Sequence, residues 1–372
     1  MNLTKPRILI LAQLPPPYHG QSIMQKYLAD VNWEWCDKEL EPMQFSKDIP
    51  SVGIFKINKI RELFRLIRSV KKRAQPDFDL IYYPPAGPNR IPIYRDLILI
   101  YFLRKRSKKI LFHFHAGGID QIFEKATKLE SALIKKVFSN ADGAIVLSDW
   151  LKNEVSWSNP KQLYTVPNGI QDACMHYKKT DKDASNQITI LFVGNIRSEK
   201  GIFVLLKAAS LLKQKHSNFL IKFMGDFHSD AEKYIYLKYV QKNHLEENVE
   251  LLGVLDGNEK WEQFQQADIF CLPTTATEAM PVSILEAMMF SLPVVSTKWR
   301  SIPDIITHEK NGLLCTPNDE AELANCLSEL IESPLKRKEF GENGRLDYLQ
   351  KYTIEMHLKK MEHVFQDVLG TD

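Results

Sequence analysis

Short apolar runs alternate with longer segments of helical period along both halves of this chain, which restricts it to α/β layers built on mainly parallel sheets. In the first half, strands are expected at Arg7–Leu14, Leu80–Tyr83, Lys109–Phe114, Ala144–Leu147 and Leu163–Val166. Helices are expected between them at Gln21–Asp30, Lys56–Ala74, Ile93–Arg106, Lys128–Phe138 and Asp149–Val155. The charged stretch Lys178–Gln187 has no apolar pattern and reads as a linker. Beyond it, strands at Ile188–Val193, Phe219–Met224, Val249–Leu252, Ile269–Leu272 and Val294–Ser296 alternate with further helices, and Thr353–Leu369 closes the chain with near-helical apolar spacing. A length of 372 residues suits two such domains.

The net charge of +3 hides an uneven distribution. Residues 1–175 carry 26 Lys/Arg against 17 Asp/Glu, and the remainder carries 23 against 29, so the halves stand near +9 and −6. A basic first half suggests an anionic partner or surface, although solvated lysines explain it equally well. Five cysteines without a C-x-x-C pair or zinc spacing fit a reducing compartment. The N-terminus has no leader pattern, and the longest apolar run, Leu97–Leu103, is too short to span a bilayer, so a cytoplasmic or peripheral protein is expected.

The chemistry concentrates in Glu278-Ala-Met-Pro-Val-Ser-Ile-Leu-Glu286. Pro281 suits the first position of a helix, which leaves Glu278 in the loop before it and Glu286 one to two turns inside. At about 1.5 Å per residue the two carboxylates lie up to roughly 12 Å apart, enough for a hexose at one end and a ribose at the other. Both accept hydrogen bonds from paired hydroxyls, and the free N–H groups of the helix start would stabilise a diphosphate between them. A second cluster, Arg197 and Lys200 before Gly201, would set two cations against that diphosphate. Gly20, after a proline run and before a helix, suits close backbone approach to a ligand, and equally suits a plain turn. Neither Gly20 nor Gly194 belongs to a G-x-G-x-x-G series, which excludes nicotinamide chemistry. His113 and His115 share one face of their strand with Phe112 and Phe114 opposite, and position alone does not choose between them. His19 is a weaker neighbour. Asp77-Phe-Asp79 and Asp181-Lys-Asp183 match an Asp-x-Asp metal string, but one precedes a strand and the other lies in the linker, so no metal is expected.

The Glu278–Glu286 stretch resembles the E-x7-E motif of family 4 of the nucleotide-sugar glycosyltransferases, retaining enzymes of the GT-B fold. Similar segments follow in family order: Pro15–Gly20, His113–Gly118, Val166–Ile170, Val193–Gly201, Leu292–Thr297 and Ile302–Ile306. Many members carry glycine after the first glutamate, where Ala279 stands here. The resemblance implies two Rossmann-like, doubly wound domains facing a central cleft. Residues 1–177 would bind acceptor, residues 188–350 would bind nucleotide sugar, and 351–372 would form a helix crossing back to the first domain. It implies catalytic roles for His115, Arg197, Lys200 and Glu278, and donor contacts from Gly20, Asn195, Pro281, Val282, Ser283 and Glu286. The expected reaction moves a sugar from a UDP- or GDP-sugar to a hydroxyl acceptor with retention, in bacterial surface polysaccharide or lipopolysaccharide assembly, without a cofactor. The competing readings are a nucleotide-sugar epimerase or hydrolase on the same scaffold and a catalytically silent binding protein.

The acceptor side is expected to be a saccharide or a lipid-linked saccharide. Lys56–Arg73 forms a basic amphipathic pattern with Ile57, Ile60, Leu63, Phe64, Ile67 and Val70 on one face, and a second basic cluster stands at Arg104–Lys109. Together they would suit an anionic membrane surface, or else those apolar residues are simply core. The basic half contains no nucleic-acid-binding motif, so no nucleic-acid partner is expected.

Overall fold

The computed structural model describes residues 5–16, 20–45, 57–73, 77–174 and 187–371. The proposed linker, except Gln187, and His19 and Asp181–Asp183 lie outside the described residues. The chain divides into two units. The first comprises Met1–Gly169, Thr277–Met280 and Ile354–Asp372, and the second comprises Ile170–Ala276 and Pro281–Thr353. Both are Rossmann-like α/β units on a six-stranded parallel sheet.

The first unit contains strands β1 (Arg7–Ala12), β2 (Asp37–Pro42), β3 (Phe78–Tyr83), β4 (Ser107–Phe114), β5 (Gly143–Val146) and β6 (Leu163–Thr165). Their order is β2-β1-β3-β4-β5-β6. The helices are α1 (Gly20–Asp30), α2 (Ile57–Arg73), α3 (Arg90–Leu103), α4 (Ile122–Lys125), α5 (Lys128–Phe138) and α6 (Lys152–Val155). In the second unit the strands are β7 (Ile188–Val193), β8 (Phe219–Met224), β9 (Val249–Gly253), β10 (Ile269–Leu272), β11 (Val294–Thr297) and β12 (Gly312–Cys315). They run in the order β12-β11-β10-β7-β8-β9. Its helices are α7 (Ile202–Leu212), α8 (Asp230–Lys242), α9 (Gly257–Gln266), α10 (Val282–Met289), α11 (Glu320–Glu332) and α12 (Pro334–Lys351), and α13 (Ile354–Leu369) follows in the first unit.

Central strands carry the apolar runs because both faces of a parallel sheet are covered. Thus Ile8–Ala12 and Ile269–Leu272 are fully buried. The α13 side chains Met361, Val364, Phe365 and Val368 complete the first core against Ile8, Ile10, Tyr82 and Leu111. Phe365 stacks on Tyr82 with centroids 5.6 Å apart and meets Trp33 at 5.1 Å. Polar contacts fix the helix along its length: Trp35 Nε1 donates to Glu362 at 2.8 Å, Tyr164 Oη to Asp367 at 2.6 Å and Lys109 Nζ to the Val368 carbonyl at 2.7 Å.

His357 occupies the same buried face of α13, with Nδ1 2.7 Å from the Pro167 carbonyl. The carbonyl only accepts, so the neutral ring carries its proton on Nδ1. Burial pushes the pKa of His357 down from the usual 6.5 to about 4, against the opposing effect of that hydrogen bond. Between those values the unfolded chain takes up a proton that the folded chain refuses, so stability falls as pH drops from 6.5 towards 4. The expected loss from this residue is on the order of 3 kcal/mol. Urea denaturation midpoints measured across that window should fall steeply for the wild type and less steeply for His357→Gln.

Candidate functional site

Parallel strands deliver their following loops to one edge of a sheet, where α/β proteins bind ligands. In the second unit the loops after β7, β8, β10 and β11 are tied to one another at that edge. Ile196 N–H donates to the Asp226 carbonyl at 2.8 Å, and Thr275 N–H donates to the Glu199 carbonyl at 2.7 Å. Thr297 Oγ1 donates to the Thr274 carbonyl at 2.6 Å, and Trp299 Nε1 to the Ala276 carbonyl at 3.0 Å. Four loops therefore hold one another without using the side chains proposed for chemistry.

The β7 loop carries Asn195, Arg197 and Lys200. Asn195 is exposed, and Arg197 and Lys200 are half-buried, the first just before a short 3-10 turn, Ser198–Lys200, and the second at its end. Gly201 then opens α7 at φ +82°, where a Cβ would sit 2.0 Å from the Pro273 carbonyl oxygen. Only glycine permits both that backbone conformation and that approach. The Arg197 guanidinium stands with Nε 3.3 Å from Glu199 Oε2, an ion pair within the loop. Its side chain keeps 33% of its surface exposed, which leaves it accessible to an anion.

Helix α10 begins one residue later than the sequence suggests. Pro281 is its N-cap, because a ψ of 111° keeps it extended, and Val282 is the first helical residue. No side chain caps this terminus. Val282 and Ser283 are half-buried at the helix start, whereas Ile284–Phe290 are buried. Glu286, one turn further in, is 8% exposed, and Lys260 of α9 lies 2.6 Å from its Oε1. Burial pushes the Glu286 pKa up, with Lys260 opposing the shift by charge and hydrogen bond. Lys260 also sits over the Trp261 ring, 4.6 Å from its centroid. Sequence reading missed Lys260, because twenty-six residues and no motif separate it from Glu286. The one available signal was its place on a short helix beside an apolar strand.

Glu278 and His115 belong to the first unit. His115 follows the last residue of β4 and is half-buried, whereas His113 is 1% exposed. The two rings lie 3.8 Å apart between centroids, on the same face as strand alternation requires, with Phe112 against Phe114 at 6.2 Å. Tyr82 Oη and His113 Nδ1 form a 2.8 Å hydrogen bond, and burial together with His115 holds the His113 pKa well below its usual value. A neutral, anchored His113 thus backs His115 at the strand end. Beyond it, a Cβ on Gly117 would meet the Thr277 carbonyl oxygen at 2.9 Å and the Glu278 carbonyl carbon at 3.2 Å. The missing side chain lets the backbone before Glu278 pack against the loop after β4. Gly118, at φ +72°, donates its N–H to Glu154 of α6 at 2.6 Å, another buried carboxylate that no spacing in the sequence singles out. Gly20 opens α1 in the same unit.

Asp79 accepts from the Arg7 N–H at 2.8 Å and from Lys108 Nζ at 2.7 Å. Those partners stand at the beginnings of β1 and β4, the sheet edge opposite the one that bears the site. Among the described residues no group of three or more His, Cys, Asp or Glu is arranged to hold a metal ion.

Two Rossmann-like units, the second with polar loops converging at its strand ends, define the class as a GT-B protein. In agreement, a crystal structure of Anabaena HepE in complex with UDP and glucose aligns with a TM-score of 0.72 over 97% of this chain and 99% of that one, at 17% identity. Residues 177–347 match the family model for glycosyl transferases group 1. The amylovoran biosynthesis glycosyltransferase AmsK of Erwinia amylovora is 33% identical over 66% of this chain and 64% of its own length. An uncharacterized glycosyltransferase of Methanocaldococcus jannaschii is 22% identical over 86% of this chain and 81% of its own.

Proposed function

We propose that the chain transfers a sugar from a nucleoside diphosphate sugar to a hydroxyl acceptor with retention of configuration, in assembly of a surface polysaccharide. The observation that carries this reading is the second unit's strand-end site. It combines a partly exposed Arg197, the neighbouring Lys200, the uncapped start of α10 and the buried Glu286. The glycosyl transferases group 1 match and the polysaccharide role in the name of AmsK support it further.

In this reading Glu286 accepts hydrogen bonds from the ribose hydroxyls, and Lys260 opposes by charge and hydrogen bond the upward push of burial on its pKa. The Val282 and Ser283 amides, Arg197 and Lys200 receive the diphosphate as it departs with the bonding electrons of the glycosidic bond. Glu278 holds sugar hydroxyls, and His115 lies against the donor sugar. Asn195, Pro281 and Gly20 shape the backbone around the donor. The acceptor oxygen attacks from the face the diphosphate leaves, and a phosphate oxygen takes its proton, so no enzyme nucleophile is needed. UDP or GDP is the nucleotide carried, and no metal takes part.

The stereochemistry is the test. With an α-configured nucleotide sugar, NMR of the product should give an α linkage; a β linkage would exclude the front-face route.

A further inference from the structure

The basic helix α2 does not bury its whole apolar face. Leu63, Leu66 and Val70 turn inward, but Ile60 is 40% and Phe64 66% exposed. Helix α3, which packs beside it, presents Ile91, Tyr94, Ile98 and Tyr101 to solvent at i, i+3, i+7 and i+10, one continuous stripe. Helix α5 packs on α3 and adds Leu129 and Leu133, the first 81% exposed. Three adjacent helices thus expose aligned apolar side chains. Cations border them: Arg61, Arg68, Lys71 and Lys72 are exposed on α2, Lys128 and Lys136 on α5, and Lys105 donates to Tyr101 Oη at 2.8 Å. Helix α2 carries seven Lys/Arg and a single acid, Glu62, which accepts from Arg65 at 2.8 Å. The other acids of these three helices, Asp96 and Glu130, are buried and half-buried.

A cavity of about 410 Å³ opens through the same surface. Its apolar walls include Met43, Phe45, Ile60, Leu63, Ile91 and Ile98, three of them members of the exposed rows. Its other end reaches Gln13 after β1 and Gly87 after β3, the loops at the strand ends of this sheet. The cavity therefore connects an apolar, cation-bordered surface with the edge where an α/β unit binds ligand.

We propose that this surface rests on an anionic lipid bilayer, and that the cavity admits the first apolar segment of an acceptor whose saccharide is carried on a membrane lipid. The proposal rests on the transferase reading and names its acceptor class. Charge decides the occupant. An apolar stripe alone would suit any hydrophobic partner, whereas one framed by Lys and Arg on α2, on α5 and just beyond α3 matches the depth profile of a leaflet, with apolar side chains in the acyl region and cations at the phosphates.

The test is sedimentation of the full chain with phosphatidylcholine vesicles, with and without phosphatidylglycerol, in low and high salt. Binding is expected only with phosphatidylglycerol, to weaken in high salt, and to fall about tenfold or more in Arg61→Glu/Arg68→Glu and in Phe64→Asp/Ile98→Asp. Farnesyl phosphate serves as the probe of the cavity, and Leu63→Trp, which fills it, should abolish its binding. Nucleotide-sugar binding, measured in parallel, should be unchanged in every variant, so a failed transferase reading shows separately from a failed membrane surface. Equal sedimentation with both vesicle types, no sedimentation with either, or farnesyl phosphate binding unaffected by Leu63→Trp would overturn the proposal. So would a dimer in sedimentation velocity that Phe64→Asp dissociates, since the surface would then belong to a second copy.

Discussion

Arg197→Ala is expected to lower kcat/KM for sugar transfer by roughly 10²- to 10³-fold while leaving the thermal midpoint nearly unchanged. The two effects separate because the loop that presents Arg197 is fixed by its backbone. Glu199 offers its carbonyl to Thr275, Ile196 pairs with Asp226, and Gly201 seats against Pro273. The guanidinium, one-third exposed and 3.3 Å from Glu199, contributes little to that scaffold, as exposed ion pairs generally do. In the proposed reaction it would face the negative charge that develops on a departing diphosphate, where losing one preorganised donor typically costs about 3 to 4 kcal/mol of transition-state stabilisation. Steady-state kinetics and a thermal melt of the same preparation check both halves. Full activity in the variant would remove Arg197 from the diphosphate site.

Lys260→Ala should strongly destabilise the second unit. The lysine lies 2.6 Å from a carboxylate that is 8% exposed, and removing it takes away the cation that offsets the burial of Glu286. Breaking a buried pair from one side commonly costs about 3 to 5 kcal/mol. Burial already raises the Glu286 pKa with Lys260 in place, and losing the lysine removes the opposing influence. A carboxyl whose folded pKa lies above its unfolded value costs stability at high pH, and that cost is relieved as pH falls through the folded pKa. The deficit of Lys260→Ala relative to wild type should therefore shrink on acidification, as read from urea midpoints at several pH values. The double variant Lys260→Met/Glu286→Leu should recover much of the lost stability and still fail to bind nucleotide. Restored binding in that variant would assign the pair to structure alone.

The fold was legible where burial on both sheet faces makes strands apolar. The expected segments around Arg7–Ala12, Phe219–Met224 and Ile269–Leu272 all correspond to strands. Of the four edge strands, β6 and β9 were foreseen and β2 and β12 were not. Asp37–Pro42 reads Asp-Lys-Glu-Leu-Glu-Pro, and its charges suit an edge that borders solvent on one side. Gly312–Cys315 has four residues and begins with glycine, too short a run for periodicity to register. Helix α3 starts at Arg90 rather than Ile93, since Asn89 is still extended and Pro92 is tolerated in a first turn. In the site, the motif residues were readable because their chemistry recurs at fixed spacing along the chain. Lys260 and Glu154 were not, because each meets its partner only through tertiary packing. The α2 pattern misled in a different way: spacing put Ile60 and Phe64 on one face with Leu63 and Val70, yet only the latter two reach the core.

The most direct test of the account is calorimetric titration of the chain with UDP-, GDP- and ADP-sugars, wild type beside Glu286→Gln. The substitution keeps the size of the side chain and removes the charge that Lys260 pairs and the ribose would meet. One donor should bind the wild type and lose affinity by about tenfold or more in the variant, as expected for a charged hydrogen-bond acceptor of about 1.5 to 3 kcal/mol. Binding of no nucleotide sugar, or equal binding to both proteins, would contradict a donor site built on Glu286.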